Sequence, residues 1–202
     1  NSELEIIGKE VISNTKIDNF QIPKTVKTLR KYSFSNNFFG KHNAEIEFSN
    51  DSQLQYIDDY AFHRCKTNKI VIPKHVKEIN DNLFFDCKRL KEVIFPEDSE
   101  LQVIKNSSFS NTKLCSINFP SQLKELGLHW ADHIKYLTTI SISEKNKNFV
   151  YIDDKIIASK SNQNDDKYDT IVFALRDIEH AIIPSFIKRI NPYAFSYCKN
   201  LK

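Results

Sequence analysis

The sequence predicts a mainly β solenoid: stacked short parallel strands joined by irregular or 3₁₀ returns, with one divergent insert. Three observations carry this. An isoleucine-proline step recurs at Ile22-Pro23, Ile72-Pro73 and Ile183-Pro184, with Phe95-Pro96 and Phe119-Pro120 in the same place. After each step comes an aliphatic residue, another aliphatic three positions on, and usually Phe five positions later: Val26, Leu29, Phe34; Val76, Ile79, Phe84; Ile187, Ile190, Phe195. The same grammar returns at Leu54, Ile57, Phe62 and at Leu101, Ile104, Phe109. A period of about two dozen residues is the mark of a repeat array in which each unit buries its apolar face against its neighbours.

The strands come first in each coil. Lys69-Ile70-Val71-Ile72, Glu92-Val93-Ile94-Phe95 and Ser116-Ile117-Asn118-Phe119 alternate with period two, as a half-buried strand does. Glu45-Ile46-Glu47-Phe48 and Thr139-Ile140-Ser141-Ile142 follow the rule, with Ser49 and Ser143 in place of proline. Proline lacks an N–H and so ends the strand at a fixed place. One strand per coil, always in one direction, predicts a parallel sheet with strands about 4.8 Å apart. The next stretch turns back; its i, i+3 spacing fits either a 3₁₀ turn or a short irregular strand. A tight corner such as Asp58-Asp59-Tyr60-Ala61-Phe62 then drops Phe into the core. Two coils share an enlargement after the strand, Asn50-Asp51-Ser52-Gln53 and Glu97-Asp98-Ser99-Glu100.

Regular coils span about 4–148 and 179–202 of one solenoid covering 1–202, and a divergent unit occupies about 149–178. Two stretches break the grammar. Ala131 takes a Phe slot beside Trp130, and Leu126 to Leu137 is expected to form a short helix. Beyond Phe149, a polar loop at Ser161–Lys167 precedes an extra strand, Thr170-Ile171-Val172-Phe173. The chain opens inside a repeat and stops at Asn200-Leu201-Lys202, which predicts an excerpt of a longer array whose open ends could pair with a second copy.

Composition narrows the function classes. Of 202 residues, 40% are hydrophobic and 27% charged, normal for a folded domain, and the net charge is only +3 with no long block of Lys and Arg. That argues against a dedicated nucleic-acid surface. No apolar run approaches the roughly 20 residues needed to cross a bilayer. Cys65, Cys87 and Cys198 each follow a core Phe by three residues, a slot also filled by Thr15 and Thr112, and read as buried packing positions. Cys65 and Cys87 lie in adjacent coils, where a disulfide is geometrically conceivable; Cys115 reads as filler at a strand start.

His129 and His133, at i and i+4, lack the glutamate that a hydrolytic zinc motif requires. The acidic pairs Asp58-Asp59, Asp153-Asp154 and Asp165-Asp166 have no calcium-loop spacing and read as solvated turns. No phosphate loop or nucleophile elbow is present. The reading is of a protein that is not an enzyme, with no cofactor and no metal. Asn50-Asp51-Ser52 and Asn106-Ser107-Ser108 are glycosylation sequons, used only in a secretory pathway.

The phrases IPKTVKTLRKYSFSNN, IPKHVKEINDNLFFDCKRLKEVIFP and IPSFIKRINPYAFSYCKNLK resemble the BspA-like leucine-rich repeat family, in register over nearly the whole chain. The resemblance implies a cell-surface or secreted protein that contacts host cells or extracellular matrix; an intracellular interaction scaffold is the alternative. The usual glycine after the second aliphatic is replaced here by Arg30, Asp58, Asn80 and Asn191, where Asn and Asp tolerate corners. The outward strand positions form the candidate partner-binding ladder: Gln21, Glu47, Val71, Ile94, Asn118, Ser141 and Ile182. Such a broad, preformed face suits a protein or glycan ligand, and the adjacent aliphatics Val71 and Ile94 are the expected contact patch.

Overall fold

A computed structural model describes residues 3–16, 20–37, 46–162 and 166–202. It is a β-solenoid of about seven turns, and no helix occurs among the described residues. Two columns of strands run along it. The return column comprises β1 (Ile6–Ile7), β3 (Thr28–Leu29), β5 (Tyr56–Ile57), β7 (Glu78–Ile79), β9 (Val103–Ile104) and β11 (Glu125–Leu126). The column before the proline steps comprises β2 (Phe20–Ile22), β4 (Ile46–Phe48), β6 (Lys69–Val71), β8 (Glu92–Ile94), β10 (Ser116–Phe119) and β12 (Thr139–Ile142). Every pairing within these columns is parallel. The return is therefore the short strand of the two alternatives, not a 3₁₀ turn.

Registers repeat the sequence grammar. Leu29 pairs with Ile57, Ile79 with Ile104, and Val71 with Ile94. Because the pairing is in phase, like slots stack on like slots. Phe34, Phe62, Phe84 and Phe109 are fully buried, with successive ring centroids 5.5, 5.4 and 5.4 Å apart. Burying each such side chain contributes roughly 1.5–3 kcal/mol. The two enlargements form matching turns, in which the buried Ser52 and Ser99 hydroxyls accept from Leu54 N and Leu101 N, both at 3.3 Å.

The corner between return strand and core Phe has a conformation that the sequence reading missed. It carries two left-handed residues four positions apart, among them Tyr32 and Asn36, Tyr60 and Arg64, Asn82 and Asp86. The first of each pair stands two residues beyond the position where Asn and Asp had been expected to ease the corner. Tyr, Arg and Asp in these pairs adopt a costly backbone region, held by bonds to the next coil such as Phe62 N to Leu83 O (3.2 Å) and Arg64 N to Phe85 O (2.9 Å). Glycine is needed at Gly127 for another reason: a Cβ there would lie 2.7 Å from the Asn106 backbone nitrogen of the coil beneath.

The expected helix at Leu126–Leu137 is absent. The segment is another corner, with φ of 59° at His129 and 57° at His133, values that an α-helix excludes. Ala131 does occupy the Phe slot, and Trp130 supplies the missing volume. It is buried, with its ring 6.3 Å from Phe109, 5.9 Å from Phe119 and 5.3 Å from Phe173.

The divergent unit contains more than the single extra strand anticipated. β13 (Phe149–Asp153), β14 (Ile156–Ser159) and β15 (Thr170–Ala174) form an antiparallel meander, and β15 pairs in parallel with β16 (Arg189–Ile190) of the last coil. The insert thus supplies the strand against which the last coil's return strand pairs. Phe173 and Leu175 join the main core, while Ile156, Ile171 and Ala174 pack with Ile178 and Ala194 in a second cluster.

Candidate functional site

The outward ladder is a surface made by the alternation of the pre-proline strands. Gln21 lies beside Glu47, Val71 beside Ile94, and Asn118 beside Ser141. Gln21, Glu47, Val71 and Ser141 are exposed, and Ile94 and Asn118 half-buried. The face belongs to two hydrogen-bonded groups, β2–β4 and β6–β8–β10–β12. Ile182 is separate: it lies in the loop between β15 and β16, 78% exposed, beyond the insert. Six of the seven positions therefore share one face.

The chemistry of those six is uneven. Val71 is 44% exposed, an aliphatic side chain held open to water beside Ile94. Asn118 is committed to the fold: its Oδ1 accepts from Phe95 N (2.9 Å) and its Nδ2 donates to Phe95 O (2.8 Å). The flanks are closed by ion pairs, Lys69 with Glu92 (3.0 Å) and Lys74 with Asp98 (3.3 Å). At the proline end lie two shallow depressions. One of about 230 Å³ runs past Val71, Pro73, Lys74 and Asp98, and another of about 320 Å³ past Pro96, Asn118, Ser141 and Ser143. Both are open grooves suited to an extended contact rather than to enclosing a substrate.

His129 and His133 stand on the corner beside Asp132, with Nδ1–Oδ2 distances of 3.8 and 3.0 Å. Their rings rest on Tyr193 (4.2 Å) and Tyr197 (5.4 Å) of the last coil. They form a seam between coils separated by the insert. Beneath them Arg176 is 5% exposed. Its Nε donates to Ile134 O (3.3 Å) and its Nη1 to Ala174 O (3.2 Å) and Ala194 O (2.9 Å), while the guanidinium lies 4.1 Å over the Phe173 ring. Burial lowers its pKa from the usual arginine range, and the thiol of Cys198 partly offsets that. Sequence order holds no sign of this clasp, because it joins two coils through a residue in the irregular insert.

All four cysteines are free thiols. Cys65 and Cys87 are fully buried, Cys198 is half-buried and Cys115 exposed. Burial pushes the Cys65 thiol up to about 12 and Cys87 well above its ordinary value, and Cys87 Sγ donates to Phe62 O at 3.0 Å. No group of three His, Cys, Asp or Glu side chains among the described residues could hold a metal ion. Asp58 accepts from Lys31 N (3.2 Å), and Asp165 lies outside the described residues. Asn50 and Asn106, the sequon asparagines, are both exposed.

In sequence, the chain matches the BspA type Leucine rich repeat region in six copies, over residues 1–40, 55–163 and 136–202. No curated protein matches it. Among solved structures, the pneumococcal vaccine antigen PcpA superposes with a TM-score of 0.86 at 22% identity, over 98% of this chain and 49% of that one. A leucine rich cell surface protein from Faecalibacterium prausnitzii gives 0.72 at 22% identity, over 98% and 57%. A leucine-rich repeat protein from Eubacterium ventriosum gives 0.60 at 18% identity, over 100% and 45%. The chain spans about half the length of each, and at these identities the likeness is one of fold.

Proposed function

We propose a binding role for this chain, which belongs to the BspA-type leucine-rich repeat family. It acts as a non-catalytic module whose pre-proline strand face contacts a protein partner at a cell surface, in adhesion to host cells or extracellular matrix. The observation that carries this is the pair Val71 and Ile94, side by side on an open sheet face. Val71 is exposed and Ile94 half-buried, and the part of this aliphatic surface left open to water gains nothing from burial until something covers it. The surface setting is supported by two structural neighbours, described as a pneumococcal vaccine antigen and a leucine rich cell surface protein.

The test uses beads coated with the chain on epithelial monolayers and matrix-coated wells. Val71→Asp with Ile94→Asp abolishes attachment while the thermal melt stays within a few degrees. Attachment that survives the double substitution removes this face from the proposal. The four free thiols favour a second reading, an intracellular scaffold using the same face. Antibody staining of intact against permeabilised cells separates the two. Signal on intact cells supports the adhesin, and signal only after permeabilisation supports the scaffold.

A further inference from the structure

A second surface emerges from residues scattered in the sequence. The position after each cysteine slot is lysine in six coils: Lys16, Lys66, Lys88, Lys113, Lys135 and Lys199. In the second coil it falls on Phe38, outside the described residues. The corners are in register through Asn36 N to His63 O (2.8 Å), Arg64 N to Phe85 O (2.9 Å), Asp86 N to Ser110 O (3.0 Å) and Asn111 N to Asp132 O (3.0 Å). Two residues further on, this phase brings Lys66, Lys88, Lys113 and Lys135 into one row, roughly 4.8 Å per coil. The row continues across the insert: Lys135 Nζ lies 5.9 Å over the Tyr197 ring, two residues before Lys199.

The edge segments are cationic, with Asp86 beside them on the corner. Lys16 and the segments 66–68, 88–91, 113–115, 135–138 and 199–202 hold nine Lys and Arg and no carboxylate, whereas the whole chain nets +3. The remainder of the chain is therefore net negative. Several lysines elsewhere are matched across coils, as in Lys24–Asp51 (2.8 Å) and Lys105–Glu78 (2.7 Å). On the edge, Arg89, Lys91, Lys113 and Lys199 have no ion-pair partner among the described residues. Lys88 shares Asp86 with Arg64, at 3.3 and 3.0 Å. Stacked like charges oppose folding, so the row is explained by a ligand rather than by the fold. Asn36, Arg64, Lys66, Asp86, Lys88 and Arg89 line a groove of about 360 Å³ along it.

We infer that this edge binds a linear anionic polysaccharide, with sulfate or carboxylate groups on successive sugars lying along the lysine row. Lysines supply point charges without the fork that arginine offers phosphate. The neighbouring corner column holds Asn14 and Asn36, amides that both donate to and accept from hydroxyls, while Asn111 Nδ2 donates to Asp86 Oδ1 (2.5 Å) in the same column. Single-stranded nucleic acid would want aromatic platforms, and the described edge segments carry only Tyr136.

The experiment is calorimetric titration with heparin at 50 to 200 mM NaCl. With four or five charges engaged, affinity falls roughly 100-fold across that range. Lys66→Gln, Lys88→Gln, Lys113→Gln and Lys135→Gln together cost about 100-fold at low salt. The same count removed elsewhere, Lys24→Gln, Lys74→Gln, Lys124→Gln and Lys145→Gln, costs under about 3-fold. Equal losses in the two variants overturn the assignment. So does tighter binding of oligo-dT or phosphatidylserine vesicles than of heparin, or equal binding of neutral dextran. Should the edge variant fail to fold, acetylation footprinting of the unaltered chain decides: heparin must protect Lys66, Lys88, Lys113 and Lys135 over Lys24 and Lys124. The Val71→Asp, Ile94→Asp variant keeps its heparin affinity, so the two surfaces stand or fall separately.

Discussion

Replacing Phe84 with alanine tests the stacking logic at its centre. Its ring is fully buried between Phe62 and Phe109, 5.4 Å from each and within 6° and 7° of parallel. Large-to-small aromatic substitutions in cores cost about 3–5 kcal/mol through lost transfer energy and the residual cavity. The corner holding Phe84 is bonded to the coils on both sides, by Phe62 N to Leu83 O and Phe84 N to Ser108 O. That limits collapse of the cavity and places the cost near 4 kcal/mol. With a urea m-value of about 2 kcal/mol/M, the midpoint moves down by roughly 2 M. In a solenoid the loss falls on two neighbouring interfaces rather than on one central core. Hydrogen exchange should therefore rise first between residues 58 and 111, while β13 to β15 keep their protection. A loss under about 1 kcal/mol, or a uniform rise along the chain, would show that the phenylalanine column does not couple the coils.

Three other perturbations probe the departures from the repeat. Ala131→Phe restores the consensus residue but competes with Trp130 for one volume, so urea unfolding should show a loss of about 1–3 kcal/mol rather than a gain. Arg176→Met removes the cation bonded to Ile134 O, Ala174 O and Ala194 O; at about 1.5–3 kcal/mol for a charge-assisted bond, limited proteolysis should cut within 179–202 before the rest of the chain. Thiol labelling at pH 8 should modify Cys115 first, Cys198 more slowly, and Cys65 and Cys87 only on unfolding. The Cys65 thiol is raised from 9.0 to about 12 in the folded state, so the unfolded chain loses that proton first. Its contribution is complete below pH 9 and is lost as pH rises from 9 towards 12; Cys65→Val should flatten this alkaline decline in thermal melts.

Much of the fold was legible because the signal repeats. Leu54, Ile57 and Phe62 have the same spacing as Leu101, Ile104 and Phe109, so each coil confirmed the others, and all six are fully buried. What escaped the reading depended on contacts without a period. The left-handed pairs such as Tyr60 and Arg64 have no residue signature, since the next coil's hydrogen bonds impose that conformation on ordinary side chains. The seeming helix at Leu126–Leu137 came from a break in the repeat grammar at Ala131, which cannot distinguish a helix from a corner packed around a tryptophan. The meander of the insert was half-seen, because Ile156 and Ile157 are buried on both sides and do not alternate. On the ladder, Asn118 looked like its neighbours in sequence and differs only because the next backbone lies within reach of its amide.

Periodicity also converts dispersed residues into continuous surfaces, and it does so for every slot. The slots of Ile79 and Phe84 become a core. The slot of Val71 and Ile94 becomes an open sheet face. The slot of Lys66 and Lys88 becomes a charged edge that no run of lysines in the chain announces. Lysines beside the return strands, such as Lys105, meet carboxylates one coil away. The absence of a basic block in the sequence therefore does not exclude a basic surface, because in a solenoid the relevant neighbours are one coil apart. The two unsatisfied surfaces differ in kind, one apolar and one cationic. As proposed binding surfaces they would take ligands of different chemistry, and a longer array of the same coils would extend both without altering either.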